Sequence, residues 1–430
     1  MALPVAYDMV RLFSGPLFST PRGIDRVDLG YARHFAESWR GDCGGTLPAP
    51  WGIVWYDRDR LLRLIDRLEE LWSEKTYRSH SDAGLKEIKL RLAGRPSSVV
   101  RKGVPNNRRK IARRFADLFA AGGLPSGIRR LSSAPKDSIY VNIGHVGLAF
   151  PWFVSWLRRR PDVKPVFMLH DMIPLENPEW VSEAGLRHHD QMTENAARYA
   201  AALIATSPTA RNSVMRELAL RGRGDIPVAA VPLPVAPLFL ERWERDEELA
   251  SHNYFVVCGA LQPRKNHVLL INVWRELVRR RGPLAPKLVV VGSPGWGGGP
   301  IKHLVTRCRE IEDHLIFAED LSSPALRSVM GHAKGLLMAS HAEGYGLPII
   351  EALCVRTPVV ASDIPAHHDV AGDNAIYRHP IDGLGWLEAV ESLTDDTEEA
   401  RTVRHRILSY RPPTWQNYFA KVENFLSTLA

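Results

Sequence analysis

Short apolar runs recur along most of this 430-residue chain, separated by stretches with the 3.6-residue period of amphipathic helices. Residues 5–10 read as a strand, 24–35 as a helix, and 165–169 as a second buried strand. Residues 203–205 and 228–231 read as further strands with a helix over 209–220 between them, and 254–258, 287–291, 315–317, 335–338 and 358–361 continue the series. Short apolar strands that alternate with helices predict parallel sheets covered on both faces. The proline-rich passage Val231-Pro232-Leu233-Pro234-Val235-Ala236-Pro237 can continue neither a helix nor a central strand. A boundary between two domains is therefore expected near residue 240. Residues 40–135 are less legible. A helix over 60–72 places Leu61, Leu64, Ile65 and Leu68 on one face, and another over 107–121 gathers Ile111, Phe115, Leu118 and Phe119. Arg108, Arg109, Lys110, Arg113 and Arg114 crowd the rest of that second helix, within a basic region spanning 95–130. A basic amphipathic helix can lie on an anionic membrane, although a solvated face over a packed stripe is the commoner case.

Composition narrows the class. Hydrophobic residues are 45% and charged residues 24%, which excludes a disordered or fibrous chain. The length is about twice what one ordinary domain of roughly 100–200 residues needs. Cys43, Cys258, Cys308 and Cys354 lie far apart with no CxxC pair, which argues against a disulfide framework or cysteine zinc site and for a reducing compartment. The N-terminal stretch lacks the layout of a signal peptide. Residues 139–157 carry no Asp, Glu, Lys or Arg, close to the ~20 residues that span a bilayer. Asn142, Gly144, His145, Gly147 and Pro151 interrupt that stretch, so a buried strand, a glycine turn and a short helix explain it better, and the chain reads as soluble. The net charge of +8 is uneven: residues 1–240 carry 35 Lys and Arg against 24 Asp and Glu, whereas the remainder carries 21 against 24. A basic first half suits nucleic acid, an anionic membrane or a phosphorylated substrate. No nucleic-acid motif or aromatic-basic interleaving accompanies it.

The strongest chemical signal is the run from Ser340 through Glu343-Gly344-Tyr345-Gly346-Leu347-Pro348 to Glu351-Ala352-Leu353, which follows a short strand and opens a helix. A glycine-flanked loop at a helix N-terminus offers backbone N–H groups and a favourable dipole to a phosphate or sugar oxygen. Glu343 and Glu351 can each accept hydrogen bonds from ligand hydroxyls. Taken alone, a capping acid and a surface acid would explain the pair. Arg264 and Lys265, in the loop from Cys258 to His267 after another buried strand, suit a diphosphate, arginine by its fork and lysine as a point charge. The glycines of Gly295-Trp296-Gly297-Gly298-Gly299 read as flexible loop.

In this order the elements resemble those of retaining nucleotide-sugar glycosyltransferases of family 4. The resemblance runs from Phe255 to about Asp382 and includes Thr357-Pro358-Val359-Val360-Ala361-Ser362-Asp363. It implies the GT-B fold, an α/β architecture of two Rossmann-like domains facing each other across a cleft. Residues 1–240 would form the acceptor-side domain, 241–410 the donor-nucleotide domain, and 411–430 a terminal helix packing back on the first. By the same resemblance Arg264 and Lys265 would hold the donor diphosphate, Glu343 the sugar hydroxyls and Glu351 the ribose, with Gly344, Tyr345, Gly346 and Leu347 lining the pocket through their backbone. Thr20-Pro21-Arg22-Gly23-Ile24-Asp25-Arg26 resembles the glycine loop that reaches the donor from the first domain, placing Gly23 there. Leu169-His170-Asp171 resembles the His-Asp motif of the cleft, with His170 near the reacting carbon and His145 and Asp171 as further cleft candidates. Arg356 where glycine is usual, Asp369 where glutamate is common and Ser322-Ser323-Pro324 in place of an acidic turn depart from the pattern.

The implied activity is transfer of a hexose, mannose from GDP-mannose being favoured, to a saccharide or lipid-pyrophosphate-linked acceptor in exopolysaccharide or lipopolysaccharide assembly. Family members of this kind use a nucleotide-sugar co-substrate without a cofactor or bound metal, and no HxH or acidic pair suited to a metal lies near the motif. Trp152, Trp156 and Arg158–Arg160 on the basic half fit an acceptor at the inner membrane face, with peripheral contact from the cytoplasm and no nucleic-acid partner. The alternatives are a UDP-sugar transferase of the same family, a GT-B sugar-nucleotide epimerase or hydrolase, and a catalytically silent sugar-nucleotide-binding scaffold.

Overall fold

The computed structural model describes residues 3–14, 23–49, 52–76, 82–95, 134–293, 295–319 and 321–429, with a few positions between 113 and 121. The first sheet contains β1 (Val5–Asp8), β2 (Cys43–Ala49), β3 (Gly52–Asp57), β4 (Ile139–Asn142), β5 (Lys164–Leu169), β6 (Ala202–Ala205) and β7 (Val228–Ala230). Their order is β3-β2-β1-β4-β5-β6-β7, parallel throughout except for the β2–β3 hairpin. The second contains β8 (Tyr254–Cys258), β9 (Lys287–Val291), β10 (Leu315–Ala318), β11 (Gly335–Met338), β12 (Val359–Ser362) and β13 (Ile376–Arg378), in the order β10-β9-β8-β11-β12-β13 and all parallel. Strands such as β8 and β11 are buried from end to end because helices cover both faces, and this explains their unbroken apolar runs. The α/β class with two Rossmann-like sheets is therefore present.

Each sheet reverses its strand order once, between β1 and β4 and between β8 and β11. At such a reversal the loops leaving the two strands diverge and open a crevice beyond their C-terminal ends. The loops after β4, β8 and β11 carry His145, the Arg264-Lys265 pair and Glu343.

Several elements differ from the hydrophobic pattern. β1 stops at Asp8, whose Oδ1 accepts from Val10 N at 3.0 Å and starts a helical turn over Val10–Ser14. β2, with Gly44, Gly45 and Pro48, lies in the stretch where the hydrophobic pattern is less legible. It is a strand because a Cβ at Gly44 would lie 2.3 Å from the Trp55 ring, so glycine lets the hairpin partner close over it. The helix expected over 107–121 lies largely outside the described residues, and those described there are helical. The uncharged stretch at 139–157 is β4, a turn, and a short helix Pro151–Val154 running into Ser155–Arg159. Among the described residues no helix is long and apolar enough to cross a membrane.

Two helices cross between the halves. Helix Ala83–Leu92 buries Ile88 and Leu92 against the second sheet, and Arg91 Nη2 donates to Leu315 O on β10 at 3.3 Å. It covers a sheet edge that would otherwise present unpaired backbone groups. Helix Trp415–Ser427 packs on helix Gly23–Glu37 of the first half: the Tyr31 and Tyr418 hydroxyls lie 2.7 Å apart, and His34 stacks on Phe419 at 3.7 Å. A Cβ on Gly30 would stand 2.6 Å from the Trp415 ring. Gly30→Ala should therefore cost about 1–3 kcal/mol by overpacking this contact, read as a lower urea midpoint. An unchanged midpoint would mean that the terminal helix is not held there.

Candidate functional site

The loop after β8 is shaped by close approaches. Gly259 has φ +146°, and a Cβ on Gly292 would sit 1.9 Å from Gly259 O, so two loops press together where only glycine fits. A short turn over Pro263–Lys265 follows, and Asn266 adopts the left-handed conformation while its side chain donates to Pro380 O at 2.7 Å. That turn presents Arg264 and Lys265 to the crevice. His341 N donates to Arg264 O at 2.8 Å and ties in the loop after β11. Gly346, at φ +106°, then opens helix Leu347–Cys354.

Glu343 is the centre of this arrangement. Arg264 Nη1 donates to its Oε2 at 3.0 Å, Lys265 Nζ forms an ion pair with Oε1, and Ser340 Oγ donates to Oε1 at 2.7 Å. The Glu343 side chain is only 6% exposed. Burial would raise its pKa, but the Lys265 and Arg264 charges and these hydrogen bonds hold the carboxyl well below its ordinary range. Two cations against one carboxylate leave a positive excess at the crevice, as an anionic ligand would require. Glu351 lies one turn into its helix and is 9% exposed, so it is not a surface acid. Its partner is Arg26 of the first half, with Nη1 3.9 Å from Oε1. Arg26 lies within the Gly23 stretch but has no signal of its own in the sequence.

From the first half, His170 directly follows β5 and is buried, with Nε2 3.1 Å from Ile143 O. A carbonyl can only accept, so Nε2 carries the proton and Nδ1 is left as an acceptor. Burial lowers the His170 pKa to about 4, which keeps the ring neutral near pH 7. The His145 ring lies 5.1 Å from that of His170, and its backbone at φ +46° is pinned by a 2.9 Å bond from its N–H to Asn142 Oδ1. His145 Nε2 is buried without a partner among the described residues, and burial together with His170 pushes its pKa down. Asp171 Oδ1 accepts from Ile173 N at 3.1 Å. It also faces the second half, since a Cβ on Gly344 would lie 2.8 Å from the Asp171 Cβ. Gly23 likewise faces Leu347, whose Cδ1 would be 2.8 Å from a Cβ placed there, while Thr20, Pro21 and Arg22 lie outside the described residues.

Other expectations shift. The Tyr345 hydroxyl donates to Leu233 O in the proline-rich linker at 2.9 Å, leaving only its backbone for a ligand. Gly295, Gly297 and Gly298 pack on Gln262, Pro263 and Leu261, so they serve loop contact rather than free flexibility. Trp156 is 4% exposed, and Arg160 is engaged by Asp162 and the carbonyls of Ala134 and Pro135. Of the aromatic-basic group on the first half, Trp152, Arg158 and Arg159 face outward. The sequence also gave no hint that Trp180 stacks on His341, 5.0 Å away and 3° from parallel.

Residues 241–405 match the model of the family described as glycosyl transferases group 1. The chain is 25% identical over 284 residues to a serotype-specific mannosyltransferase WbdA of Escherichia coli, covering 61% of this chain and 34% of that protein. It is 30% identical over 158 residues to the O-antigen chain mannosyltransferase RfbU of Salmonella typhimurium strain LT2, covering 36% and 40%. The chain thus spans about a third of the length of the WbdA relatives it matches. Its fold is that of Anabaena Alr3699/HepE, solved with UDP-glucose, at TM-score 0.61 and 15% identity over 99% of this chain and 100% of that one. The architecture is GT-B.

The depressed Glu343 pKa fixes the sign of a pH effect. The Glu343 ion pairs contribute stability above the carboxyl's ordinary pKa, and that contribution is lost as pH falls through and below it. Between about pH 6 and pH 3 the wild type should lose about 2 kcal/mol more than Glu343→Gln by urea denaturation. Equal losses would show that these pairs do not form.

Proposed function

We propose that this chain is a retaining hexosyltransferase, favouring mannose from GDP-mannose, that acts on a saccharide or lipid-linked acceptor during surface-polysaccharide assembly. The observation that carries this reading is the buried Glu343 clasped by Arg264 and Lys265 at the crevice between β8 and β11. The group 1 match and the mannosyltransferases among the relatives support it.

On this reading the donor diphosphate takes Arg264 and Lys265 as counter-charges, and Glu343 turns its oxygens to the sugar hydroxyls. Backbone N–H groups of Gly344 to Leu347 and the dipole of helix Leu347–Cys354 add positive potential where the leaving phosphate gains charge. These groups supply neutralisation without a bound metal. The acceptor oxygen forms a bond to the anomeric carbon on the face from which the phosphate oxygen departs, and its proton passes to that phosphate oxygen. His170, neutral and with Nδ1 as acceptor, receives a hydrogen bond from a donor hydroxyl. Trp152, 55% exposed, stands with Arg158 and Arg159 on the outer face of the basic half, which supports peripheral contact with an anionic membrane that presents the acceptor.

The test is thermal stability of the purified protein with GDP, UDP, ADP and their sugars, beside Lys265→Ala. A ligand at 100 times its dissociation constant adds about 2.7 kcal/mol, enough to raise the melting temperature by a few degrees. A rise with guanine nucleotides alone, abolished in Lys265→Ala, is the expected result. A rise that survives Lys265→Ala would remove the diphosphate role, and a rise restricted to uracil nucleotides would replace the donor.

A further inference from the structure

Arg26 lies on helix Gly23–Glu37 of the first half, yet both ends of its guanidinium reach the second. Nη1 stands 3.9 Å from Glu351 Oε1, and Nη2 donates to Ser323 Oγ at 2.5 Å. Ser323 belongs to the Ser-Ser-Pro turn that opens helix Ser323–Gly331. Among the described residues no other cation pairs with Glu351, and its titratable neighbours Cys258 and Cys354 bring no positive charge. Burial raises the Glu351 pKa and Arg26 opposes that rise. A carboxyl this buried needs an opposite charge to remain an acceptor of hydrogen bonds. The fork of Arg26 supplies one from across the cleft while Ser323 fixes its other arm.

We propose that Arg26 is a positioning residue of the donor site, holding the Glu351 carboxylate for the hydroxyls of the nucleotide ribose, so that ribose recognition is complete only when the two domains meet. The proposal rests on the donor-site reading of Glu351. It makes one side chain of the acceptor-side half part of nucleotide recognition by the other half.

The test is calorimetric binding of the nucleoside diphosphate that the wild type binds, GDP or UDP, against its 2′,3′-dideoxy form. The proteins are the full-length wild type, Arg26→Met, Arg26→Lys, Glu351→Gln and the Arg26→Met/Glu351→Gln pair. Wild type should prefer the ribose form by about tenfold or more, the size of a charge-assisted hydrogen bond. Arg26→Met should bring the preference close to unity, Arg26→Lys should restore most of it, and the double variant should lose no more than Glu351→Gln. A purely structural Arg26 would weaken both nucleotides equally and leave the preference intact. If Glu351→Gln abolishes the preference while Arg26→Met keeps it, or if the two losses add, the proposal is overturned and the donor site stands. If Glu351→Gln keeps the preference, or the wild type binds neither nucleotide, the reading of Glu351 fails and the proposal falls with it.

Discussion

A carboxylate held out of water between two cations organises the second half of this molecule. Glu343 cannot stay charged in its buried position without Arg264 and Lys265, and the two cations would repel each other without Glu343. Removing one partner of such a group leaves an uncompensated buried charge, at a cost of about 3–5 kcal/mol. The loops after β8 and β11 are therefore locked to one another at the point where the strand order reverses. Ser340 and the His341-to-Arg264 backbone bond complete the lock. On the proposed reading, the groups that stabilise this crevice are also those that would meet a diphosphate and a sugar, so stability and ligand recognition would draw on one set of charges.

Besides the two crossing helices, the two halves meet at the cleft through small, separate contacts. Gly344 approaches Asp171, Gly23 approaches Leu347, Trp180 stacks on His341, and Thr209 N donates to Asp369 Oδ2 at 2.8 Å. Single hydrogen bonds such as the last are worth about 1 kcal/mol each. Two departures from the family pattern find explanations here. Asp369 serves the backbone of helix Pro208–Leu220 across the cleft, and Arg356 sits at φ +64°, a conformation that favours glycine, where its guanidinium donates to Ile407 O. The bond to Ile407 gives arginine a partner that glycine would lack.

How far the sequence could be read depended on whether the signal was local. The strands of the second sheet and the helices flanking them were legible because parallel strands covered on both faces are uniformly apolar, and turn residues bracket them. The Glu343 and Arg264-Lys265 loops were legible as motifs because backbone geometry restricts which residues can sit there. β2, β3 and helix Ala83–Leu92 were not. A hairpin containing Gly44, Gly45 and Pro48 is held by Trp55 and Met9, and the short helix by the distant edge of β10.

The sequence by itself determined the α/β class, the repeat of strand and helix, and the residue types able to meet a nucleotide sugar, because hydrophobic period, glycine and charge are local properties. Only the tertiary structure decided which charges would pair. Arg26 and Glu351 are 325 positions apart in the chain, and Trp180 and His341 meet across the cleft. The Lys265 and Arg264 charges then set Glu343 far below its ordinary pKa against the pull of burial, whereas burial lowered His170 and raised Glu351. Desolvation and partner charges act through distances in space, and no spacing along the chain encodes those distances.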